Sequence, residues 1–113
     1  MPAGAVRGVV QGEVTAFKGI PYAKPPVGRL RWRPTEALPR WSGVRDAPEP
    51  GNVAPQDPLV GPPFRADGPE SEDCLALQVH TPALDAGRRP GLFWIHGAGS
   101  GFYTPLTLQT ISR

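Results

Sequence analysis

Nine prolines between positions 34 and 69 limit what this chain can fold into more than any other feature. Proline has no N–H and a fixed φ, and it drives the residue before it out of helical geometry, so a helix of ordinary length does not fit here. An irregular stretch of roughly 35 residues is longer than a self-contained compact domain usually holds. We therefore expect this segment to lie over a larger body, anchored by its aromatic residues Trp41 and Phe64.

The composition supports a loop-rich piece of a folded protein. A length of 113 residues allows one domain at most. Only 39% of the residues are apolar, and the 16 prolines and 14 glycines reach the level at which aperiodic content begins to indicate disorder. Three tryptophans, four phenylalanines and two tyrosines are more than a disordered linker would carry.

The charges are too few and too scattered for a nucleic-acid partner. The net charge is +2, whereas a nucleic-acid surface needs a basic stripe or patch. On a strand, Arg29, Arg31 and Arg33 would share one face, which we interpret as a solvated or ion-paired edge.

Cys74 is the only cysteine, so no intrachain disulfide can form, and it is typical of a small buried hydrophobe. One cysteine and two separated histidines do not make a metal site, and we expect no metal and no cofactor. The first residues contain no signal-peptide core, and no apolar run approaches the ~18 residues of a membrane span. We expect a cytoplasmic protein with no membrane partner.

Four short runs predict strands separated by turns and long loops. The runs are residues 9–10 and 14–17, which form a hairpin around Gln11 and Gly12, then residues 74–80 and 92–95. Residues 18–28 read as an extended loop, residues 30–32 as a brief extended piece, and His80 as the end of its strand. The result is a mostly antiparallel strand set without covering helices. Its apolar faces would be half exposed, like the edge of a sheet whose remainder is absent.

The end of the last predicted strand is the strongest candidate for chemistry. Residues 92–95 read as a buried strand that runs directly into His96, Gly97, Ala98 and Gly99. Such a junction places backbone N–H groups at the carboxyl end of a strand, where open α/β sheets put their ligands.

Several blocks, in this order, resemble the N-terminal part of the type B carboxylesterases, the family of the bacterial para-nitrobenzyl esterases and the cholinesterases. The blocks are Gly-Ala-Val-Arg-Gly at 4–8, Gly-Ile-Pro-Tyr-Ala-Lys-Pro-Pro-Val-Gly at 19–28, Trp-Ser-Gly-Val-Arg-Asp-Ala at 41–47, Ala-Pro-Gln at 54–56, Ser-Glu-Asp-Cys-Leu at 71–75 and Trp-Ile-His-Gly at 94–97. The resemblance covers about residues 4–99. It leaves residues 100–113 as an unmatched tail and makes residues 1–113 an N-terminal fragment of a carboxylesterase domain.

The resemblance implies an α/β class protein: the N-terminal part of an α/β-hydrolase fold, with mainly antiparallel strands, long loops and an incomplete sheet. It also implies hydrolysis of small-molecule carboxylic esters by a serine esterase. The N–H groups of Ala98 and Gly99 would form part of the oxyanion hole, and His96 and Gly97 would support that turn. Ala98 departs from the glycine that the family usually has there, which costs roughly 1 kcal/mol if the position needs positive φ.

The nucleophile, acid and base are expected beyond Arg113. No serine has the Gly-x-Ser-x-Gly pattern, and Ser100 has Ala98 and Phe102 where the glycines should be. This chain alone should therefore be inactive.

The resemblance also implies a structural ion pair between Arg31 and Glu72. In secreted cholinesterases the cysteine at position 74 closes a loop with an upstream cysteine. Here Gln56 and Asp57 stand where the partner would be, which favours a bacterial type of esterase.

Two other readings remain open at this point. The chain could belong to a cholinesterase-like module that binds without catalysing, or it could be a non-functional product of a truncated or shifted reading frame. A Gly-x-Ser-x-Gly elbow encoded downstream in another frame would support a frameshifted esterase. An intact domain with that serine replaced would support the binding module.

Overall fold

The computed structural model describes residues 3–59 and 65–95, together with a backbone strand at 110–111. In this part of the chain there are seven short strands and one 3₁₀ helix. The strands are β1 Ala5–Arg7, β2 Val9–Gln11, β3 Val14–Pro21, β4 Val44–Asp46, β5 Ala76–Thr81, β6 Gly91–Leu92 and β7 Thr110–Ile111, and the 3₁₀ helix is Gly28–Leu30. Among the described residues, no helix has the length and apolar character needed to cross a bilayer.

The predicted hairpin is present. Strands β2 and β3 pair antiparallel, with Val9 opposite Ala16 and Gln11 opposite Val14. The turn lies one residue later than predicted, at positions 12–13, and Gly12 adopts a φ of 61° there. Glycine pays no steric cost at positive φ, which is why the chain can reverse at this point.

Strand β3 is the centre of the largest sheet, which has the order β2-β3-β5. Its other neighbour, β5, is the strand predicted at residues 74–80 and begins two residues later, at Ala76. Two residues of β3, Ala16 and Ile20, are 0% and 2% exposed. Ala23 and Ala47 are the other buried apolar residues of the described chain, so the core is small and built around β3.

A β-bulge interrupts the pairing of β3 with β5. Phe17 lies opposite Val79 and Ile20 opposite Leu77, so β3 has one extra residue at this place. The N–H of Lys18 donates instead to the carbonyl of Ala47 at 2.8 Å. The bulge therefore interrupts the pairing of β3 with β5 only locally, and the Lys18 contact attaches β3 to the proline-rich segment.

Within residues 34–59 and 65–69 the chain is mostly irregular, as its prolines predict. This segment contributes the strand β4, which pairs in parallel with β1. Trp41 anchors it there, because the Trp41 N–H donates to the Ala3 carbonyl at 2.9 Å and Nε1 donates to the Ala5 carbonyl at 3.0 Å. The second predicted anchor, Phe64, lies outside the described residues.

The extended piece predicted at residues 30–32 is wrong. The chain makes a 3₁₀ turn at Gly28–Leu30, closed by Leu30 N–H to Val27 O at 3.0 Å, and Trp32 follows with a φ of 61°. Because no strand forms, the alternating arginines at 29, 31 and 33 do not share a strand face. The restriction imposed by Pro25 and Pro26 ends at Pro26, and Gly28 is free to adopt the φ of 55° that starts the turn.

The last predicted strand, residues 92–95, is shorter and more exposed than expected. Only Gly91–Leu92 forms a strand, β6, and it pairs antiparallel with Thr110–Ile111. The side chains at 92–95 are 59–71% exposed, so this run is not buried. An apolar run is buried only where other elements cover it, and the described chain offers no such cover here.

The bulge gives a stability prediction. Gly19 has a φ of 66°, and a Cβ there would lie 2.7 Å from the carbonyl oxygen of Glu49. Gly12 has a similar φ of 61° but no heavy atom within 4 Å of the same position. Both Gly→Ala variants should lose about 1–2 kcal/mol from the left-handed backbone, and Gly19→Ala should lose about 1–3 kcal/mol more from overpacking.

Urea unfolding of the two variants against the parent protein measures this difference. Equal destabilisation by Gly19→Ala and Gly12→Ala would contradict the close approach at the bulge.

Candidate functional site

The glycine turn predicted to carry chemistry lies outside the described residues. This applies to His96, Gly97, Ala98 and Gly99, and also to Ser100. The structure describes what leads into that turn, namely β6 and the exposed apolar residues 93–95.

A chelated turn directs the chain into β6. The carboxylate of Asp85 accepts the Gly87 N–H at 2.9 Å and both terminal nitrogens of Arg89, at 2.5 Å and 2.8 Å. This is the two-pronged geometry that arginine forms with carboxylates. Pro90 follows and keeps Arg89 extended, so the turn ends and the strand begins at Gly91.

The same contacts shift the pKa values of both Asp85 and Arg89. Hydrogen bonding to Arg89 first, and to the Gly87 N–H second, lowers the pKa of Asp85 from 3.8 to about 2. Hydrogen bonding to Asp85 raises the pKa of Arg89. Both groups are exposed, so the pair fixes the turn's geometry more than it stabilises the whole protein.

The structure brings Arg31 and Glu72 together. Arg31 Nε lies 2.5 Å from Glu72 Oε1, with the two side chains 55% and 37% exposed. The Arg31 guanidinium also lies over the ring of Trp32, 5.3 Å from its centroid. The contact joins the 3₁₀ turn to the acidic turn that precedes β5.

The structure also describes Asp73 and Cys74, which follow Glu72 in the chain, and His80 in β5. Asp73 presents its carbonyl to the side chain of Asn52 at 3.0 Å. Cys74 is a free thiol of intermediate exposure, less buried than its sequence predicts. His80 is exposed and lies opposite Ala16, one residue before the end of β5.

Sequence reasoning missed a second cross-link that involves the Pro-Pro block. Lys24 Nζ lies 2.8 Å from Glu36 Oε2, and the Lys24 N–H donates to the Glu36 carbonyl at 2.9 Å. The hydrogen bond and charge of Lys24 lower the pKa of Glu36. No local period links these two positions, so only the folded chain reveals the pair.

Comparison with known protein families decides which family the chain belongs to. The model of the carboxylesterase family matches residues 1–109. The chain belongs to the carboxylesterase family. Its likeness to the para-nitrobenzyl esterases therefore stands as the sequence blocks predict.

Two curated relatives illustrate the match. The chain is 47% identical over 103 residues to phenmedipham hydrolase of Pseudarthrobacter oxydans, an alignment that covers 86% of this chain and 20% of that protein. It is 39% identical over 95 residues to para-nitrobenzyl esterase of Bacillus subtilis, covering 83% of this chain and 19% of that protein. The chain thus spans about a fifth of the length of the curated relatives it matches.

Two solved structures are also similar to this chain over about a fifth of their length. A carboxylesterase of Geobacillus stearothermophilus superposes with a TM-score of 0.68 at 42% identity, covering 87% of this chain and 19% of that one. A thermophilic para-nitrobenzyl esterase superposes with a TM-score of 0.64 at 40% identity, covering 72% of this chain and 17% of that one. These neighbours are esterases of the α/β-hydrolase fold, and the strand-rich partial sheet of this chain is consistent with an N-terminal piece of it.

The ion pair between Arg31 and Glu72 gives a second prediction. Glu72→Gln keeps an oxygen that can accept from Arg31 but removes the charge, so it should lower the free energy of unfolding by no more than about 1 kcal/mol. Urea unfolding at low salt and at about 1 M salt measures this, and the loss should disappear at high salt.

Asp73→Asn is the matched control, because Asp73 forms no ion pair within residues 3–59 and 65–95. It should have a smaller effect. If Glu72→Gln cost as much in an Arg31→Gln background as alone, the pairing would be refuted.

The chelated turn gives a third prediction, on pH. Arg89→Gln should raise the pKa of Asp85 from about 2 toward its ordinary 3.8, although the Gly87 N–H should keep it below that value. In the parent protein the depressed pKa means that the stabilisation is fully present above about 3.8 and is lost as pH falls toward about 2.

An NMR titration of the Asp85 carboxyl measures the pKa directly. Arg88→Gln removes the neighbouring charge without touching the chelate and should leave the pKa near 2. An Asp85 pKa that does not respond to Arg89→Gln would show that the chelate does not exist in solution.

Proposed function

We propose that this chain forms the N-terminal part of a serine esterase that hydrolyses small-molecule carboxylic esters. The observation that carries the proposal is the family match across residues 1–109, which includes the glycine turn at 96–99. The similarity to solved esterases, with TM-scores of 0.64 and 0.68, supports the placement of the described strands in such a fold.

The contribution of this chain to the chemistry is half of an oxyanion hole. Ala98 and Gly99 donate their backbone N–H groups to the oxygen that becomes negative when the ester carbonyl is attacked. Preorganised donors of this kind accelerate acyl transfer because they need no reorganisation as the charge develops. His96 and Gly97 hold the turn, and the chelate of Asp85 with Arg89 fixes the approach of β6 to it.

The nucleophile, base and acid come from a part of the esterase other than this chain. The sequence has no Gly-x-Ser-x-Gly elbow, since Ser100 has Ala98 and Phe102 where the glycines should be. His80 is an exposed residue of β5 opposite Ala16. The ion pair of Arg31 with Glu72 is structural: it ties the turn after the Pro-Pro block to the start of β5.

The proposed substrate class is small-molecule carboxylic esters as a whole. The relatives are named for different compounds, among them phenmedipham and fumonisin B1. We infer that the pocket residues that select among such esters lie mostly outside this chain.

A segment exchange tests the proposal. Residues 4–99 of this chain would replace the corresponding segment of the Bacillus subtilis para-nitrobenzyl esterase. We expect the chimera to hydrolyse para-nitrophenyl acetate and to react with a fluorophosphonate probe. The 113-residue chain alone should do neither. Ala98→Pro in the chimera removes a donor N–H and should lower kcat by about 10²–10³-fold.

Ala98→Gly is the matched variant that keeps the N–H and relaxes φ, so it should retain the activity of the chimera. A folded chimera without activity would contradict the proposal. Stoichiometric probe labelling of the 113-residue chain would do the same, because it would place the nucleophile here. If the chimera is active but Ala98→Pro has no effect, Ala98 is not a donor.

A further inference from the structure

Two stretches of the proline-rich region, residues 52–57 and 65–73, form a neck joined by hydrogen bonds. Its base consists of Asn52 Nδ2 to Asp73 O at 3.0 Å, Val53 N to Pro69 O at 3.0 Å and Ser71 N to Val53 O at 2.9 Å. Cys74 is the only cysteine in the chain, so polar contacts and not a disulfide within the chain must hold this neck.

Gln56 holds the neck at its far end. Its side-chain Nε2 donates to the Ala66 carbonyl at 3.2 Å, and its Oε1 accepts the Ala66 N–H at 2.9 Å. One side-chain amide thus satisfies both polar groups of one residue, as a neighbouring strand would. The backbone of Gln56 is held as well, because its N–H donates to Glu70 Oε2 at 3.3 Å.

Glu70 connects this contact to Arg65. Its other oxygen, Oε1, accepts from Arg65 Nη2, and Arg65 Nη1 reaches the carbonyl of Asp57 at 3.4 Å. The Arg65 side chain is therefore held by Glu70 of its own stretch and by Asp57 of the opposite stretch, and the main chain of Ala66 is held by Gln56 of the opposite stretch.

We propose that Gln56, Arg65 and Glu70 form a non-covalent latch that makes the Arg65–Ala66 peptide bond resistant to trypsin-like proteases. Such a protease binds its substrate as an extended strand and takes the arginine side chain into an acidic pocket. Here the guanidinium is held by Glu70, and the Ala66 N–H and carbonyl are held by Gln56. Cleavage requires the latch to open, so its rate follows the population of the open form.

Trypsin digestion of the full chain tests the proposal, with the Arg88–Arg89 bond as an internal reference. Arg88 is exposed and lies outside the neck, and the chelate of Asp85 engages the Gly87 N–H and the Arg89 side chain but no atom of Arg88. We expect the Arg65–Ala66 bond to be cut at least about tenfold more slowly than the reference bond, since two hydrogen bonds and an ion pair oppose opening.

Gln56→Ala should raise the rate at Arg65–Ala66 by about tenfold and leave the rate at Arg88–Arg89 unchanged. Gln78→Ala, an exposed glutamine of β5, is the matched control and should change neither rate. Glu70→Gln keeps an acceptor for the Gln56 N–H but loses the charge facing Arg65, so it should give a smaller rise of about threefold.

Hydrogen exchange of the Ala66 amide gives a second measurement that no protease influences. It should become about tenfold faster in Gln56→Ala and stay unchanged in Gln78→Ala. Equal cleavage of both bonds in the parent chain, an equal rise at both bonds in Gln56→Ala, or an unchanged Ala66 exchange rate would each overturn the latch.

Discussion

The close approach of backbone to backbone at Gly19 is the constraint on which the described fold depends. The carbonyl of Glu49 would lie 2.7 Å from any Cβ at Gly19, and the Cβ of Ala76 would lie 2.7 Å from any Cβ at Gly51. Three stretches of chain therefore pass one another with almost no side chains between them. The bulge at this point brings the Lys18 N–H to the Ala47 carbonyl, and that contact brings Ala47 into the core beside β3.

Local patterns predict the parts of the fold that are made by neighbouring residues. Alternation and a glycine turn are enough for the β2–β3 hairpin, and the prolines after position 34 are enough to exclude long helices there. The parallel pairing of β1 with β4 is different. Each strand has only three residues, and their partners lie far apart in sequence, so no period of either strand indicates the other. The positive φ of Trp32 also follows from no residue preference, since bulky side chains rarely adopt it.

The candidate site also has some features that the sequence predicts and others that it does not. The strand that leads to the glycine turn is visible as an apolar run, but the run does not say how far pairing extends or whether anything covers it. Pairing stops after Leu92, and residues 93–95 remain exposed. Only the family resemblance predicts the contact between Arg31 and Glu72, because no spacing rule connects a residue after the Pro-Pro block to one before β5. The chelate of Asp85 with Arg89 has an i,i+4 spacing, yet that spacing predicts a pair only on a helix, and this one closes a turn.

Polar links between loops replace much of the apolar packing that a domain would normally use. The described chain has four buried apolar residues, three of them alanines, so hydrophobic burial within it is small. Five ion pairs join its turns, loops and the strands β1 and β4, and all five are at least partly exposed. Exposed pairs contribute little to stability but do fix geometry. A chain held in this way has defined loops and a weak core, and its apolar residues 92–95 stay exposed. These features agree with the proposal that it forms the N-terminal part of an esterase.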